Sequence, residues 1–582
     1  MKPQKHRLGA IFIAIAFLNI SSAVFAQTQS SDAINQQDWI IRNQQNILEE
    51  TKRSKEMEAI SKDFERKKKE EEEEKDQQLK VIKKSEECWQ INEIKLSGAS
   101  KISARKQKNL LQKFLGRCFD AKNLQEIIAT LNEFYQAQGY VTTQIIVPKQ
   151  NISSGIFELK IIEGKIEKII FGKETWREKM QKFMAFGSKQ GKVLDLNEIN
   201  DGIYQINRLP SNSAVIKIEP GSVDGMSKIV IENNKKFPLR ATVGKDNLGN
   251  KFTGVQRAVF STSFDNFLSL DDALNLTYST NAHDDSQVKD IKSFSGGISI
   301  PFKQNTFSYD YSHSEFKGQN VGVASTTTLT GFSKQNKFGA QRILLNDSKL
   351  RITSTATLTT KESASYLNGE KIETSQRRLS VGNFALAFSS FFPTYSIYLS
   401  PSYSRGLKVL DAKKDHKNID ASIPKAQFEL FKLYASVTKK VSISDFKFSI
   451  GSEFDSQISK DTLFGSEQFA VGGYYSVRGF RENYISGDSG YFLRNKLTFD
   501  LGNFNTFSYQ SRIKLEPFYD YGHIKIKTGE AGRMSGAGVK TAFESNNFNA
   551  SFTCAWGVNS SQLVTTNQKE NALVYFEIGA GF

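Results

Sequence analysis

Apolar and polar residues alternate along the C-terminal part of the chain, and this alternation constrains the fold more than any other feature. Between residues 513 and 522 one face is apolar or aromatic and carries Ile513, Leu515, Pro517, Tyr519 and Tyr521. The opposite face carries Lys514, Glu516, Phe518 and Asp520. Successive side chains of a strand point to opposite faces, so each such segment predicts a strand with one apolar face. The pattern is typical of a membrane barrel with a polar lumen, although a soluble β-sandwich alternates as well.

Composition favours the barrel over the sandwich. Aromatic residues make up 12% of the chain, and the mean hydropathy is only −0.43. Beyond the N-terminus, no stretch stays apolar for the roughly 18 residues that a membrane helix needs. A barrel strand avoids this requirement because only alternate residues meet lipid. We therefore predict a transmembrane β-barrel of about 16 antiparallel strands over residues 237–582, least regular between 340 and 360.

The first 26 residues have the parts of a secretory signal peptide. Basic residues precede the apolar run Leu8–Ile20, and Val24-Phe25-Ala26 precedes the expected cleavage site. The apolar run is too short to span a membrane as a helix. The mature chain is therefore predicted to leave the cytoplasm and enter a bacterial periplasm.

The segment that follows contains neither glycine nor proline from Gln27 to Ser85. Residues 27–50 hold a weak helical pattern of apolar residues, and residues 51–87 carry a dense run of lysine and glutamate. Taken from the residues alone, this segment is a solvated helix or a flexible charged linker.

Two α+β units lie between this segment and the barrel, at residues 88–164 and 165–236. Each has the predicted order strand, helix, helix, strand, strand. Small open sheets of this kind present exposed strand edges, to which an extended polypeptide can add through its backbone. The two units are therefore candidate binding modules for an unfolded chain.

A short motif in the barrel region carries a family resemblance. It consists of Val477, Arg478, Gly479 and Phe480, preceded by SEQF and two glycines and followed by SGDSG. The motif resembles the signature of the Omp85 superfamily and, more narrowly, that of the two-partner secretion transporters of the outer membrane (TpsB type). The resemblance implies that this loop folds back into the barrel and that Arg478 pairs with Asp520. A solvated Arg478 without a partner is the alternative.

The residues around Asp520 support this pairing independently. The wall sequence Phe518-Tyr519-Asp520 places Phe518 and Asp520 on the polar face by the two-residue period alone. A charge pair there would be partly desolvated, and removing one partner of a fully buried pair costs roughly 3–5 kcal/mol.

The resemblance extends over most of the remaining chain. The phrases GYVTTQIIVPKQ, from residue 139, and IIEGKIEKI, from residue 161, resemble POTRA domains. The family then implies two periplasmic POTRA domains, at 88–164 and 165–236, and a helix at 27–50 that plugs the barrel. Residues 51–87 would link that helix to the POTRA domains. The final Phe582 resembles the C-terminal aromatic residue by which the barrel-assembly machinery recognises such chains.

Two cysteines fall in the first α+β unit. Cys88 and Cys118 bracket its first strand and helix, and an oxidising compartment makes a disulfide between them reasonable. Two buried free thiols are the alternative. A metal site is not expected, because no histidine or third cysteine lies at ligand spacing.

Catalysis and nucleic-acid binding are not predicted. The five histidines are scattered, and the chain has no Walker-type glycine loop, so we expect neither an enzyme nor a cofactor. The net charge of +16 comes from lysines interspersed with acids. Such a distribution favours lumen lining and attraction to anionic lipopolysaccharide over nucleic-acid binding.

Together these features predict an outer-membrane pore that exports a large unfolded exoprotein by two-partner secretion. The partner would be a haemolysin- or haemagglutinin-like adhesin or toxin that binds the POTRA domains. The alternatives are a barrel-assembly insertase of the same superfamily and a passive porin or surface adhesin. Depletion separates them, because many barrels need an insertase, one exoprotein needs a transporter, and neither needs a porin.

Overall fold

The computed structural model of the protein describes residues 35–68, 89–116, 118–282, 288–321, 326–347, 349–444, 446–506, 509–527, 529–561 and 570–581. The predicted signal peptide, the start of the predicted plug, Cys88 and Phe582 lie outside the described residues. The Cys88–Cys118 disulfide therefore stays a prediction.

One helix, α1, covers residues 35–68 and lies inside the barrel, with ion pairs to the wall at both ends. Without glycine or proline the helix continues unbroken, and at 1.5 Å per residue it is about 50 Å long. It therefore runs through residues 51–68, which were predicted to belong to the linker. Several charges of this stretch have partners on the barrel wall, for example Lys52 with Asp310 and the buried Asp63 with Arg351. No helix among the described residues is both long enough and apolar enough to cross a membrane.

The first POTRA domain comprises β1 (Trp89–Gln90), β2 (Glu93–Ser97), α2 (Ala104–Leu111), β3 (Cys118–Phe119), α3 (Ala121–Ala137), β4 (Gln144–Ile146) and β5 (Ile156–Ile162). Its main sheet has the order β2-β5-β4, so β4 forms an edge, and β1 pairs with β3 separately. Helix α3 begins after Asp120, whose side chain accepts a hydrogen bond from the Asn123 N–H. Its apolar face packs into the core through Ile127, Leu131 and Tyr135.

The second POTRA domain comprises β6 (Lys165–Phe171), α4 (Trp176–Phe186), α5 (Leu196–Asn207), β7 (Ala214–Pro220) and β8 (Met226–Asn233). The sheet order β6-β8-β7 leaves β7 at an edge. Helix α4 starts with a capping box in which the side chains of Thr175 and Glu178 bond each other's backbone N–H. Phe186 at its end and Ile199 and Ile203 of α5 form the core against the sheet.

Sixteen long antiparallel strands form the closed barrel, as predicted from the alternation. The strands from here on are β9 (Leu239–Asp246), β10 (Arg257–Asp265), β11 (Ala273–Asn281), β12 (Asp290–Phe302), β13 (Asn305–Val321), β14 (Thr326–Asn346), β15 (Arg351–Leu367), β16 (Glu370–Lys371), β17 (Arg377–Phe391), β18 (Tyr395–Leu407), β19 (Glu429–Ile443), β20 (Phe446–Ser459), β21 (Phe469–Val471), β22 (Ile485–Gly487), β23 (Ser489–Thr506), β24 (Tyr509–Lys525), β25 (Ala531–Ser545), β26 (Phe548–Ser560) and β27 (Leu573–Gly581). Strand β16 only forms a two-residue hairpin with the end of β15, and β21 pairs with β22 inside the loop between β20 and β23. Pairing of β27 with β9 closes the barrel.

The barrel wall has the two faces that the alternation predicts. On β24 the ring of Tyr519 is exposed on the outside, whereas Phe518 and Asp520 are buried on the lumen side. A barrel of this size leaves a lumen that wall side chains alone do not fill. Helix α1 and the loop between β20 and β23 occupy that lumen, and they form the candidate site.

Candidate functional site

The loop between β20 and β23, residues 460–488, folds back into the barrel; we call it the Arg478 loop. Pairing of β21 with β22 holds the two arms of the loop together. Gly479 has a φ of +98°, and a Cβ there would lie only 2.4 Å from the carbonyl carbon of Trp556. Glycine is thus required both by the backbone conformation and by the close approach to β26.

Arg478 and Asp520 form the bidentate pair that the resemblance implies. Arg478 Nε donates to Asp520 Oδ2 at 2.7 Å, and Nη2 donates to Oδ1 at 2.8 Å. The backbone N–H of Arg478 also donates to Oδ2, at 3.1 Å. Both side chains are buried, and the guanidinium lies 3.4 Å from the centre of the Phe518 ring. Two charge-assisted bonds and a backbone bond therefore fix the loop against β24.

The apolar residues of the motif anchor the loop to the same part of the wall. Val477 and Phe480 are buried in one cluster with Ile524 of β24 and Met534 of β25. The carbonyl oxygen of Phe480 accepts a hydrogen bond of 3.0 Å from the Tyr575 hydroxyl. The loop thus contacts the wall through all four predicted residues, Val477, Arg478, Gly479 and Phe480. The predicted wall residues Phe518 and Asp520 lie on the β24 side of this contact.

Arg494 connects the Arg478 loop to α1. It lies opposite Asp520 in the pairing of β23 with β24. Its Nη1 atom is 3.4 Å from Glu453 of β20 and 3.6 Å from Glu50 of α1. One arginine therefore neighbours both the carboxylate that holds the loop and a carboxylate of the plug.

The N-terminal end of α1 contacts both the wall and the Arg478 loop. Arg377, the first residue of β17, forms a bidentate pair with Asp38, whose Oδ2 lies 3.0 Å from Nη2. Arg42 donates to the carbonyl oxygen of Gly465 at 2.8 Å, and the hydroxyl of Tyr484 donates to the carbonyl of Asn35 at 3.1 Å. Movement of the loop and movement of α1 are therefore mechanically linked.

At the C-terminal end of α1, three parts of the molecule meet. Arg351 of β15 pairs with Asp63 of α1, and its guanidinium lies 3.8 Å from the centre of the Tyr204 ring of α5. Asn346 accepts hydrogen bonds from Lys67 and Arg351 and donates to Asp201 Oδ1 of α5 at 2.8 Å. The plug, the barrel wall and the second POTRA domain thus share one buried polar cluster.

The second POTRA domain also contacts the periplasmic turn between β10 and β11. Gln181 of α4 donates to Asp271 Oδ1 at 2.7 Å, and Arg208 donates to the Asp271 carbonyl at 2.8 Å. Asp271 is fully buried, and its Oδ2 atom has no hydrogen-bond partner among the described residues. Burial raises the pKa of Asp271 to about 7, although the charge of Arg208 opposes this shift.

We expect this contact to weaken as the pH rises. The pKa of Asp271 in the folded protein lies above the ordinary value of about 4, so the folded state binds the proton more tightly than the unfolded state. The stabilisation is complete below pH of about 4 and is lost as the pH rises through about 7. Amide exchange of residues 266–272, corrected for its intrinsic pH dependence, should be slower at acid pH. Asp271→Asn should abolish the difference, and equal protection of the unmutated turn at both pH values would contradict the expectation.

The residues that hold α1 could not be predicted from a sequence motif. Asp38, Asp63, Arg351 and Arg377 carried no motif, and the chain has 78 lysines and arginines among which two cannot be singled out. Their position in the strands is the one feature that could have indicated them. Arg351 and Arg377 each begin a strand, and a lumen-facing charge at the end of a strand lies where the end of a plug can reach it.

The comparisons with known proteins agree with this architecture. A profile of the family described as haemolysin secretion/activation protein ShlB/FhaC/HecB matches residues 225–543. The chain belongs to this family. A ShlB-type POTRA profile matches residues 89–164, and a second POTRA profile matches residues 165–220.

Relatives from several bacteria cover most of the chain. It is similar to the outer membrane transporter CdiB of Dickeya dadantii (strain 3937), with 27% identity across 85% of this chain and 87% of the relative. It is also similar to the hemolysin transporter protein ShlB of Serratia marcescens, with 25% identity across 79% of this chain and 80% of the relative. The solved structure of CdiB from Escherichia coli superposes with a TM-score of 0.82 at 25% identity, covering 94% of this chain and 98% of that one.

These findings place the protein among the ShlB/FhaC/HecB transporters of two-partner secretion. It is an outer-membrane secretion pore whose POTRA domains lie in the periplasm. The family is a family of transporters.

Proposed function

We propose that this transporter exports one large partner protein as an unfolded chain through the lumen that α1 and the Arg478 loop close. The observation that carries the proposal is the chemistry of the closure. Along its length α1 contacts the wall through ion pairs of Asp38, Glu50, Lys52, Arg53 and Asp63, and apolar contacts of Ile40 and Phe64 add to them. Water can solvate both partners of such a bond when they separate, at a net cost of about 1.5–3 kcal/mol for each hydrogen bond to a charged group, so the helix can leave the lumen.

The partner binds first at the POTRA domains. In support, β4 and β7 are edge strands, and Ile146 and Val215 on them are exposed. An extended segment of the partner's secretion domain adds to such an edge through backbone hydrogen bonds, which require little side-chain identity. This mode suits a transporter that must accept a long unfolded chain.

Export then proceeds by displacement. Helix α1 leaves the lumen, the Arg478 loop shifts, and the partner threads outward through the space that they occupied. No nucleotide is required, because folding of the partner outside the cell biases its motion in one direction. The partner is a haemolysin- or haemagglutinin-like adhesin or toxin, and the name of one relative, hemolysin transporter protein ShlB, supports the haemolysin-like case.

Two further partners belong to this proposal. Lipopolysaccharide surrounds the outer half of the barrel, and the positive net charge of +16 favours its anionic groups. The barrel-assembly machinery inserts the barrel during biogenesis.

A Cys88–Cys118 disulfide would stabilise the first POTRA domain by about 2–4 kcal/mol.

Deletion of both POTRA domains tests the proposal. Removing residues 89–233 should abolish export of a single exoprotein, because the partner can no longer be captured. Mass spectrometry of the culture medium would measure export, and the amount of folded barrel in the outer membrane is the control. Undiminished export with an intact barrel would contradict the proposal, and loss of many barrels on depletion of the whole protein would indicate an insertase instead.

A further inference from the structure

Helix α4 of the second POTRA domain carries an apolar stripe on the side that faces away from its own domain. Trp176, Met180 and Phe183 recur at helical spacing, whereas Gln181 and Ala185 on the opposite side are buried. Trp176 is 64% exposed and Phe183 is 51% exposed. Large aromatic side chains on an outward helix face indicate an interaction surface rather than a core.

Helix α4 lies against the periplasmic turns of the barrel, and these contacts determine what the stripe faces. The carbonyl oxygen of Met184 accepts a 2.7 Å hydrogen bond from the backbone N–H of Lys303, in the turn between β12 and β13. Gln181 is bound to Asp271 in the neighbouring turn between β10 and β11. Helix α4 is therefore fixed along the periplasmic rim of the barrel, across two adjacent turns.

Phe183 is on the lipid side of that rim. Its ring centre lies 5.9 Å from that of Phe302, the last residue of β12. By strand parity Phe302 faces outward, on the same side as the exposed ring of Phe294 and, across the turn, near that of Phe307. The stripe of α4 thus continues the lipid-facing surface of the barrel beyond the end of the strands.

The neighbouring rim has the same character. Phe267 and Leu268, in the turn that binds Gln181, are also exposed, and Phe267 packs on the outward-facing Phe264. The exposed side chains of Arg177 and Lys179 flank the apolar stripe on α4. Aromatic residues flanked by basic residues are typical of a helix that lies in the interface of an anionic bilayer.

We propose that α4 of the second POTRA domain lies in the headgroup region of the periplasmic leaflet, with Trp176, Met180 and Phe183 inserted among phospholipids. The occupant of the stripe is the membrane in which the barrel sits, and Arg177 and Lys179 contact anionic headgroups. This contact holds the second POTRA domain in one orientation beneath the pore, independently of any exported partner.

Tryptophan fluorescence tests the proposal in the full-length protein. The chain has four tryptophans, at positions 39, 89, 176 and 556. Three variants each retain one of them, Trp176, Trp89 or Trp556, with the others replaced by Phe, in vesicles of phosphatidylethanolamine and phosphatidylglycerol with brominated acyl chains. Trp556 is exposed on the outward face of β26 and is the membrane control, and Trp89 lies in the first POTRA domain and is the periplasmic control.

We expect Trp176 to be quenched by about half, more by bromine near the carboxyl end of the chain than near its methyl end, since interfacial helices insert only about 5–10 Å. Phe183→Asp in the Trp176 protein should lower the quenching, and Phe183→Leu should preserve it. Quenching of Trp176 no greater than that of Trp89 would overturn the proposal. A change in Trp176 fluorescence on adding the exported partner, without quenching by lipid, would assign the stripe to the partner instead.

Discussion

Replacing Asp520 by Asn is expected to release the Arg478 loop from β24 and to raise its cleavage by external protease at least tenfold. The change leaves the buried Arg478 guanidinium without its carboxylate, and breaking one side of a buried pair costs about 3–5 kcal/mol. Every 1.4 kcal/mol or so corresponds to about a tenfold change in an equilibrium, so the loop should leave its inward position in a large fraction of molecules. Protease cleavage of the loop in whole cells would measure the effect.

The control for this variant is an exposed pair on the same barrel. Arg405 and Glu429 lie 3.5 Å apart with both side chains about half exposed, so Glu429→Gln should cost less than about 1 kcal/mol. A double-mutant cycle of Arg478→Ala and Asp520→Ala isolates the pair itself. Additive effects of these two substitutions, or equal cleavage of the loop in Asp520→Asn and Glu429→Gln, would contradict a role for the pair.

The barrel and the face of Asp520 were predictable because a two-residue period is local. The alternation within a single strand predicts which of its side chains face the lumen, without reference to the neighbouring strands. The region from 340 to 360 was less clear for an equally local reason: the pairing of β14 with β15 shifts between Ile343 and Leu345. Leu344 is 53% exposed and Leu345 is 40% exposed, so two consecutive residues face outward and the alternation breaks.

The extent of the plug could not be predicted in the same way. Residues 51–68 have the composition of a solvated charged segment, and pairs within the helix, such as Glu58 with Lys62, account for only some of the charges. Their partners are far away: Lys52 binds Asp310, 258 positions along the chain, and Asp63 binds Arg351, 288 positions along. A charge run becomes a buried plug only when the closed barrel supplies the opposite charges, which is a property of the tertiary fold.

Asp63→Asn is expected to open the pore at least ten times more often than in the unmutated protein. Asp63 lies among three cations, Arg66, Lys67 and Arg351, and neutralising it leaves them buried together without the central anion. The C-terminal end of α1 should then detach from the wall. Of the two buried ion pairs that hold the ends of α1, Asp38–Arg377 and Asp63–Arg351, only the first would remain. Single-channel conductance in planar bilayers measures the opening, and deletion of residues 35–68 should give a permanently conducting pore.

Glu58→Gln is the matched control, because it removes the same charge from the same helix. Glu58 is exposed to the lumen and pairs with Lys62 of α1 itself, so its loss leaves the wall contacts unchanged. The other anchor, Asp38, is 25 residues away, about 37 Å along the helix, and effects at such distances are additive. Asp38→Asn combined with Asp63→Asn should therefore multiply the two single effects on opening. Equal opening by Asp63→Asn and Glu58→Gln would show that the ends of α1 do not hold it in the lumen.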